Sequence, residues 1–350
     1  MSKALRSLAV ACASAVGLAF AGSAAAAYAP RIVVFNLTGD QTQIEVSQDP
    51  TDDPTARVVI YAPLGAAAVL NQPVRTQIGQ VTASVIAADL GGIALPLEGR
   101  VEVADATQFA GPPANLCTGR AHVAVWILVL SASGQELRVP VYVDRTAGAE
   151  ASFSSLKLTI CLPPPDVPAG TPGRATFGAK LVRATMTLNG VISTAQSGGG
   201  DVRWSGIFTP YTPGRGTPNA AGTVQAQSIT RITGNVRLTS KLITSGKGRK
   251  RRTSVRLSGS VPTAGARTRV QLLVGTRRVA EVTADAQGRF SKTLAISRTT
   301  SFRARALVPQ ADVTSNGCTS VGVTLPCSRV IRTAFTVTSR TVKVTVRKAR

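Results

Sequence analysis

Apolar residues recur at every second position through most of the chain. That is the period of a β-strand whose two faces see different surroundings, and no segment sustains the 3.6-residue stripe of a helix. Strands are expected at 31–37, 41–47, 57–62, 76–86 and 99–103, then at 121–130, 136–143 and 153–161. The SASGQ stretch at 131–135 reads as a hairpin connection. LPPPDVPAGTPG at 162–173 then breaks regular structure, which places a domain boundary near 168. Beyond it, 179–188, 202–208 and 223–238 alternate again around the loop TPYTPGRGTPNAAG. This region either completes the first domain or forms a small one of its own. The pattern is clearest in the last hundred residues. Val255, Leu257, Gly259 and Val261 share one face, as do Val270, Leu272 and Val274, then Phe302, Ala304, Ala306 and Val308. About seven short strands at this spacing read as a sandwich. The expected fold is all-β, with two or three antiparallel β-sandwich domains. The units are a signal peptide (1–27), an N-terminal sandwich (28–168), a second β region (169–240), a basic linker (241–252) and a C-terminal sandwich (253–350).

Composition supports a packed chain. Of 350 residues 44% are hydrophobic and only 4% aromatic, so an aliphatic core is available and wholesale disorder is excluded. Residues 1–27 place Lys3 and Arg6 ahead of an apolar run from Leu8 to Phe20, followed by Ala25-Ala26-Ala27. This is the layout of a cleaved export signal, and the run is too short to span a bilayer. No later run is long enough either, so the mature chain is expected to be secreted or associated with the cell wall, without a transmembrane segment. Export brings an oxidising compartment, and Cys117, Cys161, Cys318 and Cys327 are then expected in two disulfides. Three pairings exist. Proximity favours Cys117 with Cys161 and Cys318 with Cys327, the latter closing the short loop CTSVGVTLPC. A bond between Cys117 and Cys161 spans three strand-like runs, whose ends an up-down-up meander would leave far apart, so it predicts a different topology.

Charge is unevenly divided. Residues 28–168 hold 8 Lys or Arg against 13 Asp or Glu, whereas 169–350 hold 30 against 4. The densest run, KLITSGKGRKRRTSVR at 241–256, has 7 basic residues and no acid. Two readings stand. It is a solvated linker, or Lys247, Arg249, Lys250, Arg251 and Arg252 form an electrostatic clamp for anionic wall polymers or glycans. No aromatic is interleaved to stack on bases, so specific nucleic-acid binding is not expected.

Leu257 to Pro262, Ala264 to Ala266, Val270 to Leu272, Thr283 to Ser291 and Phe302 to Ala304 together carry a resemblance. They are similar to the bacterial Ig-like and carboxypeptidase-regulatory-like modules of exported proteins. The whole layout also resembles secreted proteins of high-GC Gram-positive bacteria. The resemblance implies a β-sandwich spacer or adhesion module, with no catalytic residue to carry over.

Residues with chemistry are sparse. His122 is the only histidine, and on the alternation it falls on a face with Ala124 and Trp126, as a core or strand-end residue with a backbone partner. Nucleophile elbow, zinc-helix, phosphate-loop and dinucleotide motifs are absent, and no cofactor or metal site is expected. Glu98, Glu102 and Asp105 could supply a glycosidase pair if Gly99 does not break their strand. Asp49, Asp52 and Asp53 form an acidic turn that could ligate calcium. Trp204 and Tyr211 are either sugar-stacking rings or a core Trp beside a loop Tyr. The expectation for function is a non-enzymatic envelope protein of structural or adhesive type. The alternatives are the polyanion clamp and a hydrolase built on an unrecognised carboxylate pair.

Overall fold

The computed structural model describes residues 28–36, 41–111, 117–132, 134–194, 201–231, 235–246, 252–261 and 268–346; the expected signal peptide lies outside them. The fold is all-β, and the helical elements described in full are short 3-10 turns. The first strands are β1 (Arg31–Asn36), β2 (Gln41–Ser47), β3 (Thr55–Pro63), β4 (Ala67–Ala68), β5 (Gln77–Ala87), β6 (Ile93–Ala104), β7 (Ala124–Ala132) and β8 (Gln135–Arg145). There follow β9 (Ser154–Cys161), β10 (Ala179–Asn189), β11 (Ile192–Ser193), β12 (Asp201–Pro210), β13 (Val224–Arg231), β14 (Asn235–Ser245), β15 (Arg252–Ser260) and β16 (Arg269–Val274). The last are β17 (Arg277–Thr283), β18 (Arg289–Ala295), β19 (Thr300–Val308), β20 (Ala311–Asp312), β21 (Cys327–Arg332), β22 (Phe335–Ser339) and β23 (Val342–Val344).

Where two packed sheets were expected, the first body is one 13-stranded ladder, ordered β1-β2-β10-β5-β6-β7-β8-β9-β3-β12-β13-β21-β20. It curls until its ends meet. The Val34 amide donates to Ser228 Oγ at 2.9 Å and Thr230 Oγ1 donates to the Val34 carbonyl at 2.7 Å, which brings β1 against β13 and makes a near-barrel. One apolar cluster fills the interior, with Ile32, Ile60, Val101, Trp126, Leu158, Leu188 and Trp204 drawn from seven different strands. Period-two alternation is common to a sandwich and a barrel, so strand pattern alone does not separate them. Glycines help the curvature. Gly99, expected as a breaker, sits inside β6, and a Cβ there would stand 1.8 Å from the Val129 carbonyl of β7. Only a hydrogen fits this approach.

Most of region 169–240 joins this ladder, β10 lying between β2 and β5 and β12 between β3 and β13, but its last residues, from Asn235, open β14 of the second sheet. The two ends of the expected linker 241–252 are paired strands instead: Lys241 to Ser245 of β14 pair with Arg256 to Arg252 of β15, while 247–251 lie outside the described residues. A second sheet, β17-β16-β19-β22-β14-β15-β18 with β23 on β19, closes on its own core around Leu257, Leu272, Phe290 and Phe302. Its strand β14 precedes the expected start at 253. Residues of β20 and β21, expected in the same domain, leave it to pair with the first sheet, β21 running parallel to β13.

Both favoured disulfides form, Cys117–Cys161 and Cys318–Cys327. The topological expectation attached to the first is overturned, because β7, β8 and β9 are a plain meander. Stagger explains it. Trp126 of β7 is level with Val141 of β8 and Ile160 of β9, so the end of β9 comes up beside the beginning of β7. The chain before β7 also crosses the outer face, where Cys117 packs with Phe109 against Val125, Ile127 and Tyr142.

Candidate functional site

Barrel interiors fill with side chains when those are large, and here one end is lined by small and medium residues. Val81, Ala83 and Val85 of β5, Leu97 of β6, Leu128 of β7 and Ala184 of β10 surround a cavity of about 430 Å³. Small-molecule sites occupy about 300–1,000 Å³, so this cavity has room for one small ligand. The wall is mostly aliphatic carbon, so an occupant must be apolar along most of its length, because an unpaired polar group there would be penalised. Thr55, Gln135, Glu136, Thr176 and Lys180 are the polar residues at the edge.

The mouth is apolar as well. Leu90, Leu137 and Phe177 line the cavity yet stay 42%, 37% and 44% exposed. Phe177 has φ of +55°, and besides glycine only Arg75 shares a positive φ among the described residues. A bulky residue held in that region stores strain that the surroundings must enforce. Neighbouring contacts do so. Arg174 forks onto Asp89, with Nη1 to Oδ2 at 2.6 Å and Nη2 to Oδ1 at 2.7 Å, and its Nε donates to the Val167 carbonyl at 2.7 Å. The Asp89 carboxyl is held below its usual range first by these hydrogen bonds from Arg174. Tyr211 Oη donates to the Leu162 carbonyl at 2.6 Å. The proline-rich segment 162–173, where a domain boundary was expected, is thus strapped with the residues up to Phe177 over the cavity and fastened to the β5–β6 hairpin.

Lys180 also lines the cavity. Its ammonium donates to the carbonyls of Pro50 and Asp52, the latter at 2.7 Å, and burial lowers its pKa. These are the carbonyls a calcium ion would need. Asp52 accepts from the amides of Ala29 and Asp49, and Asp49 caps Thr51, so the acidic turn is held by its own hydrogen bonds.

The other sequence candidates fall elsewhere. Lys247, Arg249, Lys250 and Arg251 lie outside the described residues, and Arg252 is exposed at the start of β15. Glu98 and Glu102 do share a face of β6, but Arg100 stands between them and pairs with Glu102. Four residues along a strand is about 13 Å, wider than the ~5–9.5 Å of glycosidase pairs. Asp105 caps a 3-10 turn by accepting from the Thr107 amide. Trp204 is fully buried inside the near-barrel and Tyr211 pins the strap, so neither ring is available for stacking on a sugar.

His122 is satisfied by side chains where a backbone partner was expected. Its Nδ1 lies 2.9 Å from Asp144 Oδ2 and its Nε2 2.5 Å from the Thr118 hydroxyl, while Asp144 also accepts from Arg120 at 2.8 Å. Hydroxyl, imidazole and carboxylate follow the order of an acyl-transfer relay. The imidazole is 1% exposed, however, and none of the three residues lines the cavity. The cluster fastens the segment between Cys117 and β7 to the end of β8. Among the described residues no group of three or more His, Cys, Asp or Glu is placed to hold a metal, and no helix is long and apolar enough to cross a membrane.

No protein-family model matches the chain, and no curated protein matches its sequence. The cavity itself was missed in the sequence because inward aliphatics look alike whether they touch one another or line a space. One signal was present: Leu90 and Ile93 flank Gly91-Gly92, an apolar pair at a hairpin tip where polar residues are usual.

Proposed function

We propose that this is a non-catalytic exported protein that holds one small, largely apolar molecule in the mouth of its near-barrel. The observation that carries the reading is the aliphatic cavity of about 430 Å³ with its exposed apolar rim. Burying an alkyl chain gains roughly 0.8 kcal/mol per methylene, so about ten methylenes are enough to offset a typical cost of association. The two disulfides support export. The second body, in this reading, is an Ig-like sandwich that presents the near-barrel at the cell envelope, which keeps the structural role expected from the sequence.

Titration with N-phenyl-1-naphthylamine and displacement by alkyl chains of increasing length tests the proposal. Saturable binding is expected, weakened about tenfold or more by Ala83→Trp, which fills the cavity, a loss of about 1.4 kcal/mol or more. Absence of saturable binding in the wild-type chain, or equal binding by a folded Ala83→Trp variant, sinks it.

A further inference from the structure

The second sheet carries an exposed face that has no part in the cavity. Val255 and Leu257 point into the core, so the even-numbered residues of β15 point outward. Register then places the odd-numbered residues of β14 and β18 beside them. Arg237, Lys241, Arg252 and Arg256 all lie on this face and are exposed. Thr239, Ser258, Ser260, Ser291 and Thr293 stand between or beside Arg237 and the pair Lys241 and Arg256, Ile243, Ser254 and Ala295 between that pair and Arg252, and Arg289 next to Ser260; Arg256 Nε donates to Ser291 Oγ at 2.9 Å.

Lys241 is directly opposite Arg256. Like charges in that position repel, and natural sheets usually answer them with an acid across the strand. Here no acid stands in register with the pair on β14, β15 or β18. Of the four acids in 169–350, Glu281 pairs with Arg278, Asp285 with Arg289 and Asp312 with Arg329, and Asp201 lies on β12 of the other sheet. Along the hairpin the cations fall into three steps, Arg237, then Lys241 with Arg256, then Arg252. Four residues separate each step, about 13 Å at the rise of a strand.

We infer that this face binds a linear phosphodiester polymer laid along the β14–β15 hairpin. Guanidinium groups grip phosphate oxygens in pairs, and the intervening hydroxyls donate to the oxygens between the cationic steps. A bridging phosphate removes the repulsion between Lys241 and Arg256. The face has no aromatic residue, so a nucleic acid would find charge there but nothing for its bases to stack on.

The test uses the full chain and polyglycerol phosphate as the probe, with single-stranded oligonucleotide as comparison, across a range of salt. One variant carries Arg237→Gln, Lys241→Gln, Arg252→Gln and Arg256→Gln. A second removes equal charge from exposed positions elsewhere on the same body: Arg277→Gln, Arg298→Gln, Arg303→Gln and Lys343→Gln. The first is expected to lose tenfold or more in affinity, with the slope of log K against log salt shallower by roughly 3. The second should stay within about twofold of wild type, reflecting only screened long-range charge. Equal losses in the two variants would reduce the attraction to net charge and overturn the site, as would a wild-type chain that ignores the polymer or holds the oligonucleotide more tightly.

Discussion

Single side chains decide how the cavity is closed. Arg174 and Asp89 meet in a forked pair across the mouth, and the strained Phe177 lies three residues beyond Arg174. Because the Asp89 pKa is lowered in the fold, the latch contributes fully above the unfolded carboxylate value, about 4, and is lost as pH falls through the lower folded value. Protection of the Ala175 and Gly178 amides, whose N–H groups bond to the carbonyls of Pro164 and Ala175, should therefore fall below about pH 4 when exchange is referred to the intrinsic rate at each pH. Asp89→Asn should show the lower protection already at pH 7 and lose the acid dependence. Protection that is the same in both proteins at every pH would mean that the pair does not hold the strap. Neither partner stood out in the sequence, because Asp89 and Arg174 are 85 positions apart and each alone is an ordinary surface charge.

The strands were legible where alternation is clean, and their boundaries mostly agree with expectation to within a few residues. β6 differs most. It runs twelve residues, from Ile93 to Ala104, where only the last part was expected. Leu95, Pro96, Leu97 and Gly99 obscure the alternation, and the neighbouring strands β5 and β7 impose the pairing that local preference does not. The disulfide tethering this part of the ladder closes 44 residues, against 9 for Cys318–Cys327. Loop-closure entropy alone then assigns about 4 kcal/mol to the first and about 2.6 kcal/mol to the second. Urea unfolding of Cys117→Ala/Cys161→Ala should show the larger loss of stability, and of Cys318→Ala/Cys327→Ala the smaller. The reverse order would indicate that native packing around Cys318 outweighs chain entropy.

Across the whole molecule the chain crosses between the two bodies three times. The chain passes from β13 to β14, and later leaves the second sheet after β19, adds β20 and β21 to the first, and returns as β22. Thr333 reinforces the return, its amide and hydroxyl both donating to the Ile229 carbonyl. A fragment cut at the boundary suggested by the sequence, 253–350, lacks β14, which stands between β22 and β15. It is expected to give collapsed, poorly dispersed amide spectra, whereas 28–350 gives dispersed ones. Well-dispersed spectra from 253–350 would show that β14 is dispensable to the second core.

Alternation of apolar and polar residues was enough to specify strands, because a strand's period depends only on its own two faces. Composition and the four cysteines likewise indicated a packed, disulfide-bearing chain. Neither which strands become neighbours nor whether inward aliphatics meet or leave a space can be read locally. The curling of thirteen strands into one ladder, the stagger that joins Cys117 to Cys161, and the alignment of Arg237, Lys241, Arg252 and Arg256 on one face all depend on register between distant segments. Register is set by the simultaneous packing of all strands around a shared core, a many-body condition that no stretch of the chain carries alone.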